Sequence, residues 1–156
     1  MFLEDKYTYT TNSSCLDFEF ESIGPKGSIK KVARFSEIFT NIYNFGFGDL
    51  NAETGEISDS IVSNNGDTDK VLNTIASIIY DFTSTNVDAV VFVQGSTPIR
   101  TRLYQMNLNK YWPLINTLLE VFGLKSEKWE HFQPGENYSA FLGRKKVLTL
   151  IHESER

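Results

Sequence analysis

CLDFEFESIGPKGSIKKVARF, residues 15–35, alternates apolar and acidic side chains and then turns back on itself. Leu16, Phe18 and Phe20 point one way, and Asp17, Glu19 and Glu21 point the other. A period of two sets one face on a core and the other in water, which marks a half-buried strand. Gly24-Pro25-Lys26-Gly27 reads as a turn, and residues 28–35 return as a second strand. Pairing Ile23 with Ser28 sets the register: Glu21 then faces Lys30, Asp17 faces Arg34, Phe18 meets Ala33 and Leu16 meets Phe35. Opposite charges directly across a sheet contribute roughly 0.2–1 kcal/mol per pair. The basic residues of this hairpin therefore read as an ion-paired, solvated face and not as a nucleic-acid stripe.

Outward from the hairpin, residues 41–48 form a third strand, with Tyr43, Phe45 and Phe47 on one side and Asn44, Gly46 and Gly48 on the other. The rings read as a core face, because no basic residue is interleaved as in a base-stacking sheet. The two glycines mark a bulge or a close approach. The loop 49–55 offers Asp49, Asn51 and Glu53, but Thr54 occupies the glycine position of a calcium loop and Ser60 the position of its bidentate glutamate. It reads as a connection to a fourth strand, residues 56–63. Asn64-Asn65-Gly66-Asp67 closes the meander and caps a helix, in which Val71, Leu72, Ile75, Ile78, Ile79 and Phe82 recur at helical spacing. A wholly apolar strand, residues 89–93, follows, and a strand apolar on both sides belongs in the interior of a sheet.

Beyond it the spacing predicts a short helix whose buried stripe is Ile99, Leu103 and Met106, an interruption at residues 107–109, and a second helix from Tyr111 to Phe122. Gly123 stops the second helix, and Pro113 lies in its first turn. Residues 128–132 and 138–144 read as two short strands around Gln133-Pro134-Gly135-Glu136. The expected class is α+β: an antiparallel four-stranded meander, a helix, a central strand, two helices and a short C-terminal strand pair. The expected organisation is a polar N-terminal arm (1–14), one α+β domain (15–146) and a C-terminal tail (147–156).

A chain of 156 residues with 40% apolar and 22% charged residues fits one globular domain. It holds no apolar run of the roughly 20 residues that a spanning helix needs, so no membrane association is expected. The N-terminus lacks the pattern of a secretory signal, which makes a cytoplasmic location the expectation. Cys15 is the one cysteine, read as a small buried apolar group; with only His131 and His152 beside it, neither a disulfide nor a zinc site is expected. A net charge of −5 argues against a protein that coats nucleic acid through many phosphate contacts.

One constellation suggests chemistry. In GSTPIRTRLY, residues 95–104, the apolar strand gives way to a helix whose N-cap is Thr97 and whose first helical residue is Pro98. Ser96 and Thr97 can cap the helix or donate hydroxyls to an anion. Arg100 and Arg102 offer planar, multi-donor groups suited to phosphate and carboxylate, and Tyr104 lies one turn after Arg100. The positive end of the helix dipole adds about 0.3–1 kcal/mol for an anion. The competing reading is an ordinary helix start whose arginines pair with Glu53, Glu56, Asp67 or Asp69. The turn is neither a Walker loop nor a dinucleotide fingerprint. His131 and His152 lack a neighbouring nucleophile, and no catalytic residue, metal ligand or cofactor is expected. The expected function is a non-enzymatic binding module in which Ser96, Thr97, Arg100, Arg102 and Tyr104 hold a phosphate-bearing ligand, a nucleotide or a nucleic acid. The alternative is a protein-interaction module, a regulatory or antitoxin-like partner using an exposed sheet face or edge; an enzyme stands third.

The blocks SIGPKGSIKKVARF, IYNFGFGDLNAETGEI, VSNNGDTDKVLNTIA, GSTPIRTRLY and GENYSAFLGRKK occur in that order. Together they resemble an uncharacterised family of small bacterial proteins, common in Bacteroidetes and classed as a domain of unknown function. The resemblance runs from about Asp17 to Lys146. It implies a bacterial cytosolic protein and brings no activity, substrate or catalytic residue.

Overall fold

The hairpin forms in the register that its charges dictate. In the computed structural model, which describes residues 5–58 and 65–147, β2 (Asp17–Gly24) and β3 (Gly27–Phe39) pair Asp17 with Arg34, Phe18 with Ala33, Glu21 with Lys30 and Ile23 with Ser28. Arg34 grips Asp17 through two hydrogen bonds of 2.8 and 3.0 Å. Lys30 leans diagonally to Glu19 at 3.6 Å, leaving Glu21 to accept from Ser28. Gly27 takes φ +88°, the left-handed conformation that closes the turn without a Cβ penalty.

The chain is a mixed α+β fold. β4 (Ile42–Leu50) pairs antiparallel with β3, and the two-residue β5 (Ile57–Ser58) pairs with the end of β4. The remainder of the fourth strand expected over 56–63 lies outside the described residues, as does His152. α1 (Thr68–Thr85) then carries the chain back to β6 (Val90–Val93), which lies parallel to β4. α2 (Pro98–Ile115), β7 (Leu119–Lys125), β8 (Lys128–His131) and β9 (Phe141–Lys145) follow. With β1 (Thr10–Thr11) on one edge, the strand order is β1-β2-β3-β4-β6-β9-β7-β8. The apolar strand β6 is thus interior, between β4 and β9.

Three expectations are corrected. The two helices predicted after the turn are one, α2, running through Asn107-Leu108-Asn109. Asparagines break helices when their side chains bond the local backbone; here Asn107 instead donates to Asn73 of α1 at 3.1 Å, and Asn109 accepts from Gln105 and from Gly135 N–H. Pro113 therefore lies in the last turn of α2, not the first turn of another helix. Residues 119–122, read as helix, belong to β7: Leu119, Val121 and Gly123 are buried while the residues between them are only partly so, a period of two. Finally, β8 and β9 are not partners. β8 folds back on β7 through Ser126 and Glu127, both at positive φ (51° and 64°), and β9 inserts between β7 and β6.

The core lies between the sheet and α1. Phe18, Phe20, Phe35 and Phe45 from the sheet meet Val71, Leu72, Ile75, Ile78, Ile79 and Phe82 from the helix. Phe35 and Phe82 stack at 3.9 Å between centroids. Each such side chain contributes about 1.5–3 kcal/mol on burial. The described part of the N-terminal arm is fastened to this body: Tyr7 donates to Asp67 at 2.6 Å, Tyr9 bonds Asp81, and Thr10 pairs with Glu19. Cys15, expected buried, is exposed at φ 58° in the bend before β2, and Ile99 and Met106 of the expected buried stripe are exposed on α2. Among the described residues no helix is long and apolar enough to cross a membrane.

Candidate functional site

β4 and β6 run parallel, so their carboxyl ends lie at one end of the sheet. β6 feeds directly into α2, which places the start of α2 there. α1 begins there too: its N-cap, Asp67, accepts from Ser22 of β2 at 2.6 Å, close to the turn of the first hairpin. Pairing between β4 and β6 ends at Phe45 and Val93, after which β4 continues toward β5 with β3 still paired on its other side. The chain after β6 diverges, and a cavity of about 320 Å³ opens in the gap. Carboxyl ends of parallel strands and amino ends of helices are where open α/β sheets hold ligands, since unpaired N–H groups and the helix dipoles point into the opening.

Phe45 and Phe47 of β4 with Val71, Leu72 and Ile75 of α1 supply an apolar wall. Ser96, Arg100, Leu103 and Tyr104 come from the turn after β6 and from α2, and Thr68 from the start of α1. Lys31 reaches the cavity from β3. The register that sets Phe20 opposite Lys31 turns this lysine inward, and the next pair sets Asp49 opposite it. Lys31 is 2% exposed and ion-paired with Asp49, with its ammonium 5.9 Å from the Phe47 ring centroid. A chain with a net charge of −5 thus brings two cations, Lys31 and Arg100, to the wall of one cavity.

Gly95 is required by this turn. Its N–H donates to Thr101 Oγ1 at 3.0 Å, and a Cβ at this position would lie 2.4 Å from the Thr101 nitrogen. The turn therefore sits directly on the first turn of α2. Thr97 is the N-cap, its side chain accepting from Arg100 N–H at 3.2 Å. The Arg100 guanidinium folds back to donate to Ser96 Oγ. Burial pushes the Tyr104 phenol well above its ordinary pKa, against a weaker downward pull from Arg100.

Of the five residues expected to act together, Ser96, Arg100 and Tyr104 line the cavity. Thr97 caps α2 and does not line the cavity. Arg102 is exposed and donates to Asn137 at 3.4 Å. Helical positions two apart lie on opposite faces, so the two guanidinium groups do not converge. Of the acidic residues considered as partners, Asp69 pairs with Lys110, and Asp67, which also lines the cavity, accepts from Tyr7 and Ser22. Lys31 was missed, although its signal was present: a lysine in the inward phase of one strand with Asp49 in the inward phase of the next. Among the described residues no group of three or more His, Cys, Asp or Glu side chains could hold a metal ion.

The profile of a family of unknown function (DUF6934) matches residues 3–146. No match to a curated protein or to a solved structure was found.

Proposed function

We propose a function from the cavity, because the chain belongs to the DUF6934 family, whose description assigns no activity. The protein is a binding module for a small, phosphate-bearing ligand held between the sheet and the starts of the two helices. The observation that carries this reading is the cavity of about 320 Å³ whose wall joins Lys31 and Arg100 to Asp67 and Thr68 at the start of α1 and to Ser96 in the turn before α2. A volume near 300 Å³ is the lower end of small-molecule sites, and it favours a compact ligand over a polymer. Arg100 supplies a planar donor pair for an oxyanion, Ser96 a hydroxyl, and the helix starts a favourable field. The apolar wall built by Phe45, Phe47, Val71 and Leu72 accepts the uncharged part of the ligand. The reading is one of binding and not of catalysis.

The test is a thermal-shift titration of the whole chain with inorganic phosphate, ribose 5-phosphate and mononucleotides. A ligand at one hundred times its Kd adds about 2.7 kcal/mol, or roughly 5–10 °C for a domain of this size. Arg100→Ala abolishes the shift, and Arg102→Ala, on the far face of the helix, leaves it intact. A shift that survives Arg100→Ala, or no shift with any phosphate compound, removes this reading.

A further inference from the structure

A second cavity, of about 70 Å³, adjoins the first, and Leu72, Ile75 and Tyr104 line both. Its other walls include Ile79 of α1, Ile115 of α2 and, from the sheet, Leu119, Val121 and Phe141. Among the described residues no charged side chain lines it, and its one amide side chain, Asn107, donates to Asn73. Gly143 of β9 lines it from the sheet. The register sets Gly143 beside Val91 and Val121 and two residues from Phe141, all three of them buried, so position 143 faces inward with them. Gly143 is itself buried, yet a Cβ there would meet no atom of the described residues within 4 Å. Its φ is not left-handed, and no neighbour crowds it as Thr101 crowds Gly95 or Tyr138 crowds Gly123. Neither a turn nor a close approach within the fold therefore requires this glycine. Glycine inside a strand forgoes packing and often marks where a ligand comes close to the backbone.

Resting on the anion-binding reading above, we infer that the ligand is a phosphate monoester with a short apolar chain, the phosphate lying in the larger cavity and the chain passing Leu72, Ile75 and Tyr104 to fill the space over Gly143. Polar substituents on that part of the ligand would enter walls made almost wholly of carbon, where an unpaired polar group is costly. A methylene chain brings none, and each methylene that leaves water for these walls adds to the affinity. The small volume of the second cavity keeps the chain short.

Isothermal titration of the whole chain with inorganic phosphate and with ethyl, butyl, hexyl and octyl phosphate tests this, on wild type, Gly143→Leu and Ala76→Leu. In wild type the affinity is expected to rise about fourfold per methylene, the worth of one buried CH₂, and to level off before octyl phosphate, once the space is full. Gly143→Leu fills that space with its own side chain: it raises the melting temperature, binds inorganic phosphate as wild type does and loses the gain with chain length. Ala76, which lines the same cavity from α1, gives the same result as Ala76→Leu, so the test does not depend on the strand accepting a leucine. A flat series in wild type, or a rise that both variants leave unchanged, overturns the apolar chain while the anion-binding reading stands. A rise that continues undiminished through octyl phosphate describes adsorption to an open surface and overturns it too. No binding by any of these phosphates removes the inference together with the reading it rests on.

Discussion

Lys31 shows how a single inward lysine is held in an aromatic layer. With 2% of its side chain exposed, it stays in place because Asp49, directly opposite on β4, neutralises it. Losing one member of a buried pair leaves the other charge uncompensated, which costs about 3–5 kcal/mol, whereas replacing both with apolar groups costs far less. Asp49→Ala is therefore expected to lower the free energy of unfolding in urea by that amount, and the double variant Lys31→Met/Asp49→Leu to recover most of it. Equal losses in the two proteins would show the pair to be solvated. At Gly123 the reasoning is steric. A Cβ there would lie 2.3 Å from the Tyr138 ring, so Gly123→Ala forces that ring away. The expected loss is about 1–3 kcal/mol by the same denaturation, in line with other overpacked sites; an unchanged midpoint would contradict the close approach.

At the scale of elements, β2, β3 and β4 were legible because apolar side chains alternate along them and the charges of the first hairpin fit one register. Asp17 with Arg34 and Phe18 with Ala33 follow from sequence without further information. α1 was legible for the same reason, as an apolar stripe with one period. The region after β6 was not. Leu118, Leu119 and Phe122 satisfy a helical spacing while Leu119 and Val121 also satisfy a strand spacing, and the choice is made by β9, which arrives later in the chain to pair with β7. The asparagines of α2 misled because their partners, Asn73 on α1 and Gly135 in a loop, are distant in sequence. A continuous α2 predicts slow amide exchange without a break from Arg102 through Ile115. Fast exchange confined to residues 107–109 would restore two helices.

For the whole molecule, alkaline pH probes how the tyrosines knit the layers together. Burial, then the hydrogen bond to Glu130, raises Tyr138 to about 12, and burial with the Asp67 bond raises Tyr7. Tyrosine in the unfolded chain titrates near 10. The folded state therefore holds these groups neutral at a pH where the unfolded chain has released their protons. Their stabilisation is complete below pH of about 10 and is lost as the pH rises from there toward 12. Melting temperature is expected to fall across that window, and Tyr138→Phe to flatten part of the fall; a Tyr138→Phe profile parallel to wild type would contradict the assignment.

The site was partly legible at the same scale. Gly95, Ser96 and Arg100 could be read from the strand-turn-helix junction, but which guanidinium faces inward depends on helix phase, and Lys31 enters only through sheet register. What unites them is the parallel pairing of β4 with β6, a relation between strands separated by a helix. The most direct measurement is a 15N-HSQC titration of the whole chain with AMP and with ribose 5-phosphate. Binding in the cavity predicts shift changes at the amides of Gly95, Ser96, Arg100 and Gly46, with little change at Glu120, His131 and Arg144 on the outer sheet face. No perturbation with either compound, or perturbation confined to that outer face, would contradict the account.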